Sequence, residues 1–340
     1  METIRVNIPG HEYDIRIKRG ILSRIGEECN LNRRVLVVTD KKVPQEYAQT
    51  VAKQAKEAVI AVVDGGEEGK NLDAFATLQQ FMLDNGFSRK DCVVAVGGGV
   101  VGDLAAFAAS CYMRGIEFYN VPTTVLSQVD SSIGGKTGVN FGGVKNIVGS
   151  FYQPSKVIID PEVLDSLDDR QKANGFAEAI KMALTFDKDL FGDIEKIDAS
   201  DDLVPYIARA IDIKRRVVEE DEKEAGLRKV LNFGHTLGHG IEVSCGGRLL
   251  HGECVAAGMT VMCAPEVRQR LGAVLRKFNL PEHADFDLEQ AAAAVSHDKK
   301  GNGSVISSIY VPEVGAFEIK DMSPEEAKTR LELILRHTED

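Results

Sequence analysis

The sequence predicts an α/β protein: an N-terminal domain built on a parallel sheet, residues 1–160, followed by a mainly α-helical domain, residues 161–340. Three observations predict it. Residues 1–160 alternate strand-like and helix-like segments, the pattern of a parallel sheet covered by helices. From about residue 161 the apolar period becomes helical and strands become scarce. The chain of 340 residues also exceeds the size at which one core keeps growing, so two domains are expected.

The elements follow in order. "METIRVNIPGHEYDIRI" alternates polar and apolar residues and carries acids, which predicts a strand and not a signal peptide. "RRVLVVTD" (Arg33–Asp40) is continuously apolar until its end, as a buried parallel strand is. "KEAVIAVVDGGEEGK" holds the next strand, and "LDAFATLQQFMLDNG" has helical spacing closed by Gly86. "DCVVAVGGG" predicts a buried strand running into glycines, followed by the helix "DLAAFAASCYM". "IEFYNVPTT" and "SKVIID" add strands. Beyond them, helices are expected around 168–186, 201–224, 227–244, 252–271 and 323–337, with one late hairpin in "GSVISSIYVPEVGAFEI".

Composition narrows the function. A formal net charge of −11 argues against a nucleic-acid surface but leaves room for a small anion held by a local cluster of Lys and Arg. No apolar run approaches the roughly 20 residues needed to span a bilayer, so no membrane partner and a cytoplasmic location are expected. The six cysteines (29, 92, 111, 245, 254, 263) form no C-x-x-C pair, which disfavours a zinc ribbon or a redox dithiol.

Gly97, Gly99 and Gly102 in "VAVGGGVVGD" satisfy G-x-G-x-x-G between a strand and a helix, where backbone N–H groups can meet a pyrophosphate. The acidic partner of a standard Rossmann site is missing: Glu117 comes too early, and the strand ends at Asn120. A dinucleotide held in a Rossmann-like but non-standard way is the expectation. Asp40, at a strand end, is a candidate for the ribose hydroxyls or a simple cap, and Gly65–Lys70 is a second glycine-acid-lysine loop at a strand end. "QVDSSIGGKTGVNFGGVKN" (Gln128–Asn146) has five glycines, two lysines and no clear period, so it is expected as a long functional loop. Its Lys136, Lys145 and Asn146 suit phosphate oxygens.

"NFGHTLGHGIE" sets His235 and His239 four residues apart on one helical face. The zinc-protease signature needs Glu after the first His, and Thr236 stands there. "NGFAEAIKMAL" places Glu178 and Lys181 three residues apart in an apolar setting, where a buried charge must be paired or bound. His251, in "LHGEC", makes three of the seven histidines within seventeen residues. One carboxylate with two histidines and an open position is a catalytic zinc-type set.

Taken together, "VGGGVVGDLAAFAASCYMRG", "VPTTVLSQVDSSIGGKTGVN", "KNIVGSFYQP", "FAEAIK", "GLRKVLNFGHTLGHGIE" and "HGECVAAGM" resemble the 3-dehydroquinate synthase family of sugar-phosphate cyclases. The match runs from the first strand to Lys299–Lys300. The resemblance implies a shikimate-pathway lyase, on the route to chorismate and the aromatic amino acids. Its substrate would be the phosphorylated sugar acid 3-deoxy-D-arabino-heptulosonate 7-phosphate. Transient oxidation by NAD, phosphate elimination, re-reduction, ring opening and an intramolecular aldol step would give 3-dehydroquinate.

It also implies roles for individual residues. Glu178, His235 and His251 would hold Zn2+ or Co2+. His239 and Glu224 would handle substrate or protons, with Lys136, Lys181 and Asp130 completing the catalytic set. Substrate contacts would come from Arg114, Asp130, Lys136, Asn146, Lys181, Lys214, Arg228, Asn232, His239 and Lys299, with Lys300 an equal occupant of that last role. NAD contacts would come from Asp40, Glu67, Lys70, Gly98, Gly99, Val100, Asp103, Thr123, Thr124, Lys136, Lys145 and Ser166. Arg114 would act from a partner subunit, which implies a homodimer.

Three alternatives compete. A metal-dependent polyol dehydrogenase would place a His four residues after the carboxylate ligand, where Met182 stands. Cyclases making an inosose or a valiolone differ on the carboxylate and phosphate sides, whereas Asn146, Lys214, Arg228 and His239 keep the dehydroquinate pattern here. A non-catalytic scaffold would have lost a metal ligand or Lys136, and all are present.

Overall fold

The computed structural model describes residues 1–297 and 305–335, so Lys299 and Lys300 lie outside the described residues. Its chain divides into two compact units: Met1–Asp168 with Lys214–Lys223, and Asp169–Ile213 with Glu224–Asp340.

The first unit is built on a seven-stranded sheet of order β1-β2-β9-β6-β5-β3-β4. Its strands are β1 (Glu2–Val6), β2 (Tyr13–Ile17), β3 (Arg34–Asp40), β4 (Glu57–Val63), β5 (Cys92–Gly97), β6 (Glu117–Pro122) and β9 (Lys156–Ile159). All neighbours are parallel except β1 with β2. Central strands are apolar along their whole length because both faces are covered, and every residue of β5 is buried. Short helices α1 (Ile25–Glu28) and α2 (Gln45–Ala52) precede α3 (Leu72–Asp84) and α4 (Gly99–Cys111). Helix α3 starts where the Asn71 side chain accepts from Ala74 N–H, and it stops before Gly86, whose φ of +65° is the left-handed turn that a side chain disfavours. In sequence β4 separates β3 from β5, yet β3 and β5 pair directly. The connections therefore diverge at that point, and Asp40 and Gly97 end the two strands at the crevice where open α/β sheets bind ligands.

Two expectations are corrected here. The N-terminal segment is two antiparallel strands, reversing near Gly10 at φ +78°. The stretch Gln128–Asn146 is not a structureless loop: after a single π-helical turn (Ser127–Ser131) it forms β7 (Lys136–Phe141), paired antiparallel with β8 (Val144–Phe151). Gly142 and Gly143, at φ +59° and +80°, make the two-residue turn whose hand matches strand twist.

The second unit is mainly helical: α5 (Asp169–Phe186), α6 (Lys188–Ile194), the first part of α7 (Val204–Glu220), α8 (His235–Ser244), α9 (His251–Thr260), α10 (Pro265–Lys277), α11 (Leu288–His297) and α12 (Pro324–Ile334). The expected late hairpin is β10 (Ile306–Tyr310) against β11 (Glu318–Met322). The segment 227–244 is not one helix: Leu227–Asn232 is a tight 3-10 stretch, and Gly234 at φ +77° separates it from α8. Likewise 252–271 breaks before Pro265, whose ring cannot continue α9. No helix among the described residues is long and apolar enough to cross a membrane.

Candidate active site

Helix α5 is buried on every side from Ala173 to Thr185, so its polar residues must find partners inside. Two of them, Asn174 and Glu178, together with the exposed Arg170 one turn earlier, are spaced four apart and meet three consecutive residues of α9. Arg170 pairs with Glu253 at 2.6 Å, Asn174 Oδ1 accepts from Gly252 N–H at 2.6 Å, and Glu178 Oε1 lies 3.7 Å from His251 Nε2. The α9 N-terminus is further tied by Glu253, which accepts from the Leu250 N–H at 2.8 Å. The register of His251 against Glu178 is thereby set by two neighbouring contacts as well as its own.

Helices α8 and α9 approach closely because glycines face each other. A Cβ on Gly258 would come 2.2 Å from the Gly234 carbonyl oxygen, and one on Gly238 would come 3.0 Å from that of Cys254. This approach brings His235, at the start of α8, to a ring separation of 5.2 Å from His251, at the start of α9. His239 completes the group, 5.4 Å from His235 and 5.9 Å from His251 between ring centroids.

The tautomers follow from the partners. His235 Nδ1 lies 3.1 Å from the Phe233 carbonyl, and His251 Nδ1 lies 3.1 Å from Glu242 Oε2. A carbonyl and a carboxylate only accept, so each Nδ1 carries the hydrogen and each Nε2 presents its lone pair. Those Nε2 atoms lie 3.5 and 3.7 Å from one oxygen, Glu178 Oε1. The other oxygen, Oε2, takes a hydrogen bond from Lys181 Nζ, three residues on and equally buried. Glu178 Oε1 is fully buried and has no hydrogen-bond partner. Ligands about 2.0–2.1 Å from a tetrahedral zinc stand about 3.4 Å apart, so an orphaned carboxylate oxygen facing two imidazole lone pairs fits a divalent metal. His239, Glu242 and His251 form a second such group.

Electrostatics separate the two imidazoles. Burial, then the Lys181 charge and the neighbouring imidazoles, hold His235 well below its ordinary range, keeping it neutral. Burial also pushes His251 down, but the Glu242 hydrogen bond and the charges of Glu178 and Glu242 outweigh it and leave that imidazole raised. Elsewhere in this unit the Asn232 Nδ2 donates to Glu224 Oε1 at 2.7 Å, with Glu224 held at φ +59°. Arg228 is buried in the same 3-10 stretch.

The remaining expected residues that are described lie in the first unit. Lys70 Nζ, buried, bonds both Asp103 Oδ2 and Asn146 Oδ1 at 2.5 Å. Burial raises the Asp103 carboxyl, and Lys70 opposes that rise. Gly98 caps α4, so Gly99 and Val100 open a helix whose first N–H groups point outward. A Cβ on Gly98 would stand 3.3 Å from the Thr124 methyl and one on Gly99 2.9 Å from Ser131 Oγ, which leaves the backbone bare for a close ligand. Thr123 donates its N–H to the Gly97 carbonyl. Asp40 Oδ1 accepts from Lys42 and Val43 N–H, so the cap role is present at that strand end. Glu67 Oε2 accepts from Asn140 Nδ2, and Lys145 is exposed on β8. Lys214 Nζ donates to Asp130 Oδ1 at 2.6 Å. Lys136 lines a small cavity with Asp103, Asn120, Ser132 and Tyr152. Arg114 is exposed at φ +69° after α4, and the Ser166 hydroxyl donates to the Val163 carbonyl.

Two residues escaped the sequence reading: Glu242, nine residues from His251, and Asn174. The i,i+3 step from His239 to Glu242 was the available signal for the first.

Residues 60–174 match the model of the 3-dehydroquinate synthase N-terminal domain, and 175–301 that of the C-terminal domain. The chain is 41% identical to the 3-dehydroquinate synthase of Streptococcus pneumoniae (strain ATCC 700669 / Spain 23F-1), covering 96% of this chain and 99% of that protein. It is 42% identical to that of Streptococcus sanguinis SK36, covering 96% and 98%. Among solved structures, it is similar to a 2-deoxy-scyllo-inosose synthase complexed with carbaglucose-6-phosphate, NAD+ and Co2+ (TM-score 0.91, 25% identity, 98% and 100% covered). It is also similar to the 2-epi-5-epi-valiolone synthase of Streptomyces hygroscopicus subsp. jinggangensis 5008, with NAD+ and Zn2+ bound (0.86, 27%, 95% and 96%).

Proposed function

This chain belongs to the 3-dehydroquinate synthase family, and we propose that it converts 3-deoxy-D-arabino-heptulosonate 7-phosphate to 3-dehydroquinate and phosphate. The observation that carries the metal-dependent chemistry is Glu178 Oε1, buried without a hydrogen-bond partner and faced by His235 and His251 Nε2. The bound groups would supply hydride transfer, from NAD, and Lewis acidity at the hydroxyl being oxidised, from Zn2+ or Co2+.

The chain's own residues do the rest. Lys181 neutralises Glu178 and fixes which of its oxygens faces the imidazoles. His239, exposed on the same helical face as His235, would exchange protons with substrate, and Glu224 would be the second proton-handling group. Arg228 suits a carboxylate, where a planar guanidinium pairs in a fork. In the first unit the α4 N-terminus at Gly98–Val100 would hold the dinucleotide phosphates, with Lys70 and Asp103 beside it. Lys136 and Asn146 would receive the substrate phosphate, and Lys214, which donates to Asp130 Oδ1, suits the substrate carboxylate. Met182, four residues after Glu178, leaves no histidine for the dehydrogenase alternative.

The same reading implies a homodimer in the cytoplasm. A row of exposed apolar side chains on β7 and β8, Phe141, Val144, Ile147 and Phe151, supports a second copy docking there. The testing experiment is phosphate release from the heptulosonate phosphate by purified protein. Release that requires NAD+ and metal and leaves no net NADH is expected. NADH accumulating from a polyol, without phosphate release, would select the dehydrogenase.

A further inference from the structure

One carboxylate beside the candidate metal centre has no task in the scheme above. Glu242 lies on α8 seven residues after His235, and its Oε2 meets His251 Nδ1 on α9 at 3.1 Å. The two ligand histidines are oriented in different ways. His235 donates its Nδ1–H to the Phe233 carbonyl two residues back, a local contact that its own turn supplies. His251 opens α9, and the partner on its Nδ1 comes from the neighbouring helix.

We propose that Glu242 is the positioning residue of the metal centre, holding His251 as its Nδ1–H tautomer with Nε2 aimed at Glu178 Oε1; this rests on the metal reading above. A carboxylate accepts only, so it selects the tautomer, and its charge raises the basicity of the nitrogen that binds the metal. Glu242 also ties α8 to α9 at the end of the helix pair away from the Gly234–Gly258 approach, so the pair is fixed near both ends. The alternative task for Glu242 is direct: His239, Glu242 and His251 have ligand atoms within 4.8 Å of one another and could take a cation of their own. The two tasks differ in stoichiometry.

The experiment uses the full chain, stripped with EDTA, and measures Zn2+ affinity by competition with a chromophoric chelator and the visible spectrum with Co2+. Wild type, Glu242→Gln, Glu242→Ala and His251→Ala are compared. One zinc per chain is expected in wild type, about tenfold weaker in Glu242→Gln and up to about a hundredfold weaker in Glu242→Ala, with altered cobalt bands. The isosteric Gln variant keeps the test valid if the Ala variant fails to fold. Zinc affinity within twofold of wild type in both Glu242 variants, alongside loss in His251→Ala, would overturn the inference and leave the metal centre standing. Two zinc ions per chain, falling to one in both Glu242 variants, would overturn it in favour of direct ligation. Zinc held as tightly by His251→Ala as by wild type would overturn the metal centre itself.

Discussion

Glu178 and Lys181, one helical turn apart on α5 and both buried, divide the carboxylate between them: Oε2 is bonded to the ammonium, and Oε1 is left facing two imidazole nitrogens. A buried ion pair contributes little net stability, but removing one partner strands the other. Lys181→Met therefore loses about 3–5 kcal/mol in the metal-free protein. Zinc restores part of that loss by neutralising Glu178. Urea unfolding with and without zinc measures both quantities, and a loss that zinc does not reduce would refute the pairing.

The contact between Asn174 and the Gly252 amide is expected to matter beyond stability. Asn174→Ala removes a buried acceptor and costs about 1–2 kcal/mol. Gly252→Ala places a methyl 1.9 Å from the Asn174 carbonyl oxygen, forcing the helices apart. Both variants should bind zinc more weakly than wild type, the second more so, because His251 follows its helix. Isothermal titration of the metal-free variants checks the order.

Zinc binding should depend on pH through one histidine and not two. Protons compete with metal for the nitrogens. His251 is raised above its ordinary value, so as pH falls through that raised value it gains a proton, and below it affinity drops about tenfold per pH unit. His235 is lowered well below that range, so it stays neutral and releases nothing near pH 7. Titration in buffers of different ionisation heat should count up to one proton released from these two residues at pH 6–7, and two would contradict the assignment.

Lys70→Met should be most damaging at alkaline pH. Burial raises Asp103 above the ordinary carboxylate range, and Lys70 opposes this. Without Lys70 the folded-state value rises further. A raised carboxyl favours folding at pH below its unfolded value, and that contribution is lost as pH rises through the folded value. The variant's deficit in urea unfolding should thus be larger at pH 8 than at pH 4, and NAD+ affinity should fall. An equal deficit at both pH values would sink this account.

Much of the first unit was legible because its central strands are continuously apolar: "RRVLVVTD" became β3 almost residue for residue. The β7–β8 hairpin was not, because its strands have no apolar alternation. Gly138 and Gly149 sit where the backbones approach, a Cβ on Gly149 standing 2.0 Å from the Thr137 carbonyl oxygen. The Gly142–Gly143 turn was the missed cue. In the site, Glu178 with Lys181 showed through their three-residue spacing, a property of one helix. Glu242 with His251 did not, since their meeting depends on how α8 packs against α9. The same limit applies to Asn174 and Gly252, which only the fold brings together.

The central claim, that Glu178, His235 and His251 hold the metal on which the reaction depends, is tested most directly by titrating Co2+ into EDTA-stripped protein while following phosphate release with NAD+ present. The account predicts that activity returns in proportion to one Co2+ per chain, and that Glu178→Gln recovers neither stoichiometric binding nor activity. Phosphate release by stripped protein, or full cobalt binding by Glu178→Gln, would contradict it.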